Sequence, residues 1–192
     1  MIKATRADKD LIIDILSDSF SDNRSVTSLV GEGKGLESRM RHLMSYSFEQ
    51  SFLRGLAFLN DEKNACVLLI DHSKKLPFLK ATGLDLSLVI NVVGLKKLSS
   101  TLKKQSAIKN VHPKSAYYHL WYIGVKSDVQ SKGAGSQLLK EVIDTFGAEH
   151  PIYLETSTMK NVPWYEKHGF ETIDKIDFGY QLYMMKLEPN AK

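Results

Sequence analysis

The sequence predicts a mixed α/β domain of the α+β kind, with helices flanking one central sheet. Three observations predict it. Short apolar, β-branched runs alternate with segments whose apolar residues recur every three or four positions. The order runs strand, two helices, two strands, a helical insert, then strand, helix, strand, helix and final strands. The 192 residues, 43% of them hydrophobic and 25% charged, suit one ordinary core and are short for two. With no repeat and no Pro/Gly/Ser-rich linker, the chain from 1 to 192 reads as a single domain.

Each element has a local reason. Residues 2–5 form a short apolar strand, and Thr5-Arg6-Ala7-Asp8 resembles a helix-start box. Leu11, Ile12, Ile15 and Leu16 then follow at helical spacing. The polar, glycine-containing stretch 21–35 reads as a loop. Leu36, Met40, Leu43, Met44 and Phe48 give a second amphipathic helix. Two strands at 55–60 and 65–71 are joined by the turn 61–64. A helical insert occupies about 76–110, with Leu88, Val92, Leu95 and Leu102 on one face. The aromatic and branched run 116–125 is the central strand. Leu138, Leu139, Val142, Ile143 and Phe146 mark the next helix, 151–156 another strand, and 162–168 a short helix closed by Gly169. Residues 173–187 carry one or two last strands.

Composition excludes several classes of function. Cys66 is the only cysteine and sits in an apolar run, so no intrachain disulfide forms and a buried thiol is expected. The longest apolar stretch, 84–95, is interrupted by Asp85, Ser87 and Asn91, too short and polar to span a membrane. The N-terminus has no apolar signal region, which points to the cytoplasm. The histidines and Cys66 lack metal-ligand spacing, and no nucleophile-elbow motif is present. Net charge is +4, and residues 86–127 hold no Asp or Glu but Lys96, Lys97, Lys103, Lys104, Lys109, Lys114 and Lys126. Without aromatics interleaved, this basic window matches no nucleic-acid reader. It reads as a solvated helix face or as an attractor for a polyanionic ligand.

Between the central strand and the next helix lies Gln130-Ser131-Lys132-Gly133-Ala134-Gly135-Ser136. Unpaired N–H groups and the positive dipole end make a helix N-terminus an anion site. Gly133 and Gly135 let the backbone approach the anion, and Lys132 adds charge. The dinucleotide-binding pattern fails because Leu138 stands where its third glycine would be. The P-loop pattern fails as well.

The loop resembles the acyl-CoA signature of the GNAT superfamily of N-acetyltransferases, Gln/Arg-x-x-Gly-x-Gly/Ala. Tyr153-Leu154-Glu155-Thr156-Ser157 and the block from Asn161 to Glu171, with its Tyr165-Glu166-Lys167-His168-Gly169-Phe170, are similar to later segments of that family. The resemblance covers about residues 115–175. It implies direct acyl transfer from acetyl-CoA to an amine acceptor, by a monomer or homodimer, with no nucleic-acid or membrane partner. It implies that Ile123, Gly124 and Val125 hold the pantetheine arm by backbone groups, and that residues 130–136 hold the pyrophosphate. The central strand and the strand around 153 would splay to form a slot, Gly124 easing a bulge. Asn161, also suited to a helix N-cap, would bond the cofactor arm, and Tyr165 would protonate the leaving thiolate. Glu155 and His119 are the candidate bases. Tyr117, Tyr118, Trp121, Tyr122 and Trp164 are candidate walls for an acceptor. A small-molecule amine is the first reading of that acceptor. A protein N-acetyltransferase and a non-catalytic acyl-CoA sensor stay open.

Overall fold

The computed structural model describes residues 1–74 and 78–189. The elements are β1 (Ile2–Lys3), α1 (Lys9–Ser19), α2 (Arg24–Val30), α3 (Leu36–Phe52), β2 (Ala57–Leu59), β3 (Ala65–Asp71), α4 (Phe78–Leu88), α5 (Gly94–Val111), β4 (Tyr118–Val125), α6 (Ala134–Phe146), β5 (Ile152–Thr156), α7 (Val162–Glu166), β6 (Glu171–Asp177) and β7 (Gln181–Leu187). The strands make one seven-stranded sheet in the order β1-β2-β3-β4-β5-β7-β6. Every neighbouring pair is antiparallel except β4 and β5, which run parallel. Parallel neighbours need a crossover, and α6 supplies it.

The sheet separates two cores. α1, α2, α3 and the π-helical turn Val89–Val93 cover one face, meeting Cys66, Leu68 and Tyr122. α6, Tyr165 and Phe170 cover the other, meeting Val67, Leu69, Leu120 and Leu154. Successive side chains of a strand point to opposite faces. β3 is therefore buried along its whole length and reads as an unbroken apolar run. Cys66 is fully buried, as expected from the sequence, and burial pushes its thiol far above the ordinary range.

The N-terminal signals hold: the Thr5 amide and hydroxyl both donate to Asp8 Oδ2, at 2.9 and 2.6 Å, just before α1. The stretch 21–35 differs from the expected loop, because α2 lies within it. Asn23 caps α2 by accepting from the amides of Ser25 and Val26, Val26 and Val30 are buried, and Gly31 at φ 74° ends it. One short buried face among polar neighbours leaves too little periodicity to read. The insert forms α4, the π-helical turn and α5, while its first expected residues, 76 and 77, lie outside the described residues. Val92 is buried as predicted, but Leu102 is 55% exposed, because Gly94 (φ 68°) turns α5 away from the axis of α4.

The bulge does not fall at Gly124. Leu68 pairs with Tyr122 and Leu69 with Leu120, so the extra residue on β4 is Trp121. Trp121 and Tyr122 both face α1 and α3, whereas Leu120 and Ile123 face α6. Gly124 serves close packing instead: a Cβ there would sit 2.9 Å from Leu16 Cδ2 and 3.4 Å from Ser19 Cβ. Leu16 is fully buried and cannot move aside. Gly124→Val is therefore expected to lower stability by about 1–3 kcal/mol through overpacking, read as a lower melting temperature, with Gly124→Ala less affected.

Candidate functional site

β4 and β5 pair only at Tyr118↔Ile152 and His119↔Tyr153. Beyond that point the two strands diverge while each continues in the sheet with its other neighbour. The fork opens into a cleft of about 1150 Å³. Its lining includes Ile123, Val125, Gln130, Ser131, Gly133, Gly135, Ser136, Glu155, Asn161 and Tyr165. The topology thus brings most of the sequence-derived candidates to one place. Gly124, Lys132, Ala134 and His119 are not among its lining residues.

The strand pleat decides which backbone groups face the fork. The Lys126 amide donates to the Asn64 carbonyl across to the β3 side at 2.9 Å. Amide groups alternate in direction along an antiparallel pair. Those of Gly124 therefore point to β3, and those of Ile123 and Val125 point into the fork. Val125 already spends its two: its N–H lies 3.4 Å from Ser19 Oγ, and its carbonyl accepts from Gln130 Nε2 at 3.0 Å. Ile123 keeps its pair free, among the described residues.

The glycine loop is held by the same contacts. Gln130 ties its entrance to the end of β4, and Lys132 Nζ donates to the Asp128 carbonyl at 3.0 Å. Ser131 (φ 63°) and Gly133 (φ 95°) take left-handed backbone that turns the chain into α6. Trp164 Nε1 donates to Ser136 Oγ at 2.8 Å, fixing α7 to the first turn of α6. A Cβ at Gly135 would press on Val125 at 3.3 Å, so glycine keeps this turn close to the strand. The amides from Ser131 to Ser136 meet no acceptor among the described residues. They form a nest of donors at a helix N-terminus, suited to a phosphate.

Tyr165 and Asn161 come from the short α7 and the turn before it. Burial pushes the Tyr165 phenol well above its ordinary range, so it stays protonated and can donate. It has no hydrogen-bond partner among the described residues. Asn161 holds the N-cap position of α7, yet its side chain makes no capping bond. Its carboxamide is free to face the cleft.

At the point of the fork, Glu155 Oε1 accepts from His112 Nε2 at 2.6 Å and Oε2 from His119 Nε2 at 2.7 Å. Its side chain is 13% exposed. His119 therefore lies behind the carboxylate. His112, the residue after α5, was not singled out in the sequence, since no local pattern links it to a strand forty residues later.

The other end of the cleft is aromatic and roofed. Trp121 and Tyr122 line the cleft here and Trp164 lines it beside the glycine loop, whereas Tyr117 and Tyr118 are not among the lining residues. Tyr46, Phe178 and Tyr180 join them from segments far apart in sequence. Tyr46 meets Trp121 edge to face at 5.9 Å and donates to Asp85 at 2.8 Å. From the basic window, α5 sends Lys97 and Lys104 over the cleft. Lys104 Nζ donates to Ser28 Oγ at 2.9 Å and lies 5.4 and 5.1 Å from the ring centres of Phe178 and Tyr180. Lys97 Nζ donates to the Ser28 carbonyl at 3.3 Å.

A forked parallel pair with a donor nest on one side has matches among known proteins. Residues 101–172 match the family model described as the acetyltransferase (GNAT) domain. The fold is similar to that of "histone acetyltransferase HPA2 and related acetyltransferase" from Corynebacterium glutamicum ATCC 13032, at 18% identity and a TM-score of 0.71, covering 100% of this chain and 96% of that one. It is similar to arylalkylamine N-acetyltransferase 2 from Aedes aegypti, at 14% identity and 0.63, covering 98% and 97%. It is also similar to a chain of the NatC complex bound to Gag peptide and CoA, at 13% and 0.53, covering 97% and 93%. Residues 101–172 thus match a GNAT acetyltransferase domain, and the chain as a whole has the fold of these acetyltransferase structures.

Proposed function

We propose that this protein transfers an acetyl group from acetyl-CoA to the primary amine of a small molecule. One observation carries the reading: the donor nest, the free strand edge, a protonated phenol and a carboxylate all open on the same cleft. The amides of Ser131 to Ser136 hold the pyrophosphate, with Lys132 adding positive charge and Gln130 keeping the loop against β4. The free amide groups of Ile123 bond the pantetheine arm as a further strand would, and its N–H is the nearest candidate to polarise the thioester oxygen. Val125 lines the arm, Gly124 brings α1 close behind it, and Asn161 bonds it from the facing wall.

The amine loses a proton toward Glu155, directly or through one water, and attacks the thioester carbon. The tetrahedral centre collapses with cleavage of the C–S bond. Tyr165 gives its proton to the departing sulfur. Nothing in this sequence of steps requires a metal or a covalent enzyme intermediate.

The acceptor end supports a monoamine with an apolar or aromatic body. Tyr46, Trp121, Phe178 and Tyr180 offer ring surface. Lys97 and Lys104 stand over this end, and the fork carboxylate is already engaged by two histidines. A polyamine would meet like charge there. The Lys104 strap from α5 to α2 and the β6–β7 hairpin narrows the path, which disfavours an extended peptide. The arylalkylamine specificity named for the Aedes aegypti relative agrees with such a pocket.

Acetyl-CoA at 100 times its Kd should stabilise the native state by about 2.7 kcal/mol. A melting temperature unchanged at millimolar acetyl-CoA overturns the reading. Tyr165→Phe should keep that thermal shift while kcat falls on the order of 100-fold or more. Equal turnover would remove Tyr165 from the mechanism. In a panel followed by release of free thiol, 2-phenylethylamine should outrun spermidine, and the reverse order would refute the acceptor assignment.

A further inference from the structure

The insert between β3 and β4 roofs the aromatic end of the cleft. Its last turn does something else. α5 ends at Val111, and the next residue, His112, turns into extended backbone (ψ 147°) and reaches Glu155 on β5. His119 reaches the same carboxylate from β4, at the last paired position of the fork. The side chains of His112, His119 and Glu155 are 6, 13 and 13% exposed. We propose that His112, carried by the insert, and His119 are positioning residues that clamp Glu155 in its ionised form and aim it at the acceptor amine.

The hydrogen bonds define the protonation pattern. A carboxylate only accepts, so both Nε2 atoms must carry protons. On the far side of the His112 ring, Nδ1 meets the Tyr117 hydroxyl at 2.9 Å. Tyr117 thus holds the His112 ring in the orientation the clamp needs. Its own ring stacks on His72 at 4.2 Å and 9°. Each oxygen of Glu155 keeps a second lone pair for the cleft. A carboxylate gripped at both oxygens cannot rotate, and a misplacement of about 1 Å costs a reaction on the order of 100-fold.

Burial is the largest influence on Glu155 and by itself would raise its pKa. The charge of His119, the hydrogen bonds from both histidines and the charge of His112 outweigh it, and hold the carboxyl well below the usual range. The other titratable neighbours are few. His72 and Asp71 stand at the end of β3, and Arg54 follows α3. Tyr117 and Tyr122 flank from β4 and the residue before it, Tyr153 shares β5, and Lys186 on β7 lies over the Tyr153 ring. Among the described residues, only the two histidines hydrogen-bond the carboxylate.

The sign of the effect follows. Removing a clamp donor leaves burial to dominate, so the Glu155 pKa rises. The acidic limb of kcat/KM should then move to higher pH, by about one to three units. This rests on the acetyltransferase reading, and the variants separate the two. The experiment measures pH profiles of kcat/KM, the KM for acetyl-CoA and melting temperatures for His112→Leu, His119→Leu, His112→Gln, His119→Gln and Glu155→Gln. The Leu variants should show the shifted limb and a kcat down about 10- to 100-fold, with the KM for acetyl-CoA unchanged. The Gln variants, whose amide still donates, should restore most of both. If Glu155→Gln stops turnover while the Leu variants keep the wild-type acidic limb, the clamp is overturned and the acetyltransferase reading stands. If Glu155→Gln turns over normally, Glu155 is not the base and the clamp falls with it, while the thermal shift by acetyl-CoA reports separately on the cofactor site. A Leu variant that fails to fold is replaced by the Ala variant, in which an acidic limb moved to higher pH at full melting temperature supports the clamp and a wild-type limb overturns it.

Discussion

The parallel hydrogen bonding of β4 and β5 ends after two residue pairs, and the rest of the molecule is arranged around that interruption. A strand edge inside a sheet normally has a partner, and an unpaired one carries free donors and acceptors. Past the fork, α7 is tied to the first turn of α6 by the bond from Trp164 to Ser136. The sheet stays continuous only because β3 holds β4 and β7 holds β5. The bulge at Trp121 belongs to the same adjustment. It shifts the face of β4 just past the fork, so that two consecutive aromatic residues meet the N-terminal helices.

From this constraint follow the two halves of the site. The helix after β4 begins where the strand edge is free, so its donor nest and the strand's amides lie along one path. The N-terminal helices, the insert and the β6–β7 hairpin close the opposite side with rings and lysines. The two halves meet at Glu155, which belongs to the diverging strand itself. Its carboxylate stays in reach of β4 through His119, and the two histidines supply the donors its burial demands.

The sequence made the glycine-loop side of the cleft readable, and the reason is locality. Gln130 to Ser136, then Asn161 and Tyr165, act through backbone turns and short helices whose geometry is written in neighbouring residues. Their spacing survives as a motif. The Gly124 reading shows where this stops: glycine announces a close approach, but the sequence does not say whether a bulge, a ligand or Leu16 makes it. The acceptor side was illegible for a stronger reason. Tyr46, Trp121, Phe178, Tyr180 and Lys104 converge from four separate segments, and each alone looks like an ordinary core or surface residue. α2 escaped because its stability rests on a cap and two buried valines, not on a long periodic face. His112 escaped because its meaning lies wholly in a partner on another strand.

The burial of Cys66 also has a practical side. It is the only cysteine in the chain, it has no exposed surface, and its thiol holds its proton far into the alkaline range. A thiolate is the form that reacts with disulfide and maleimide reagents. The folded protein is therefore nearly colourless in a chromogenic sulfhydryl assay. In an assay of the proposed transfer, the protein itself adds almost no thiol signal, and a slow drift in the absence of substrate is a direct measure of the molecule coming apart.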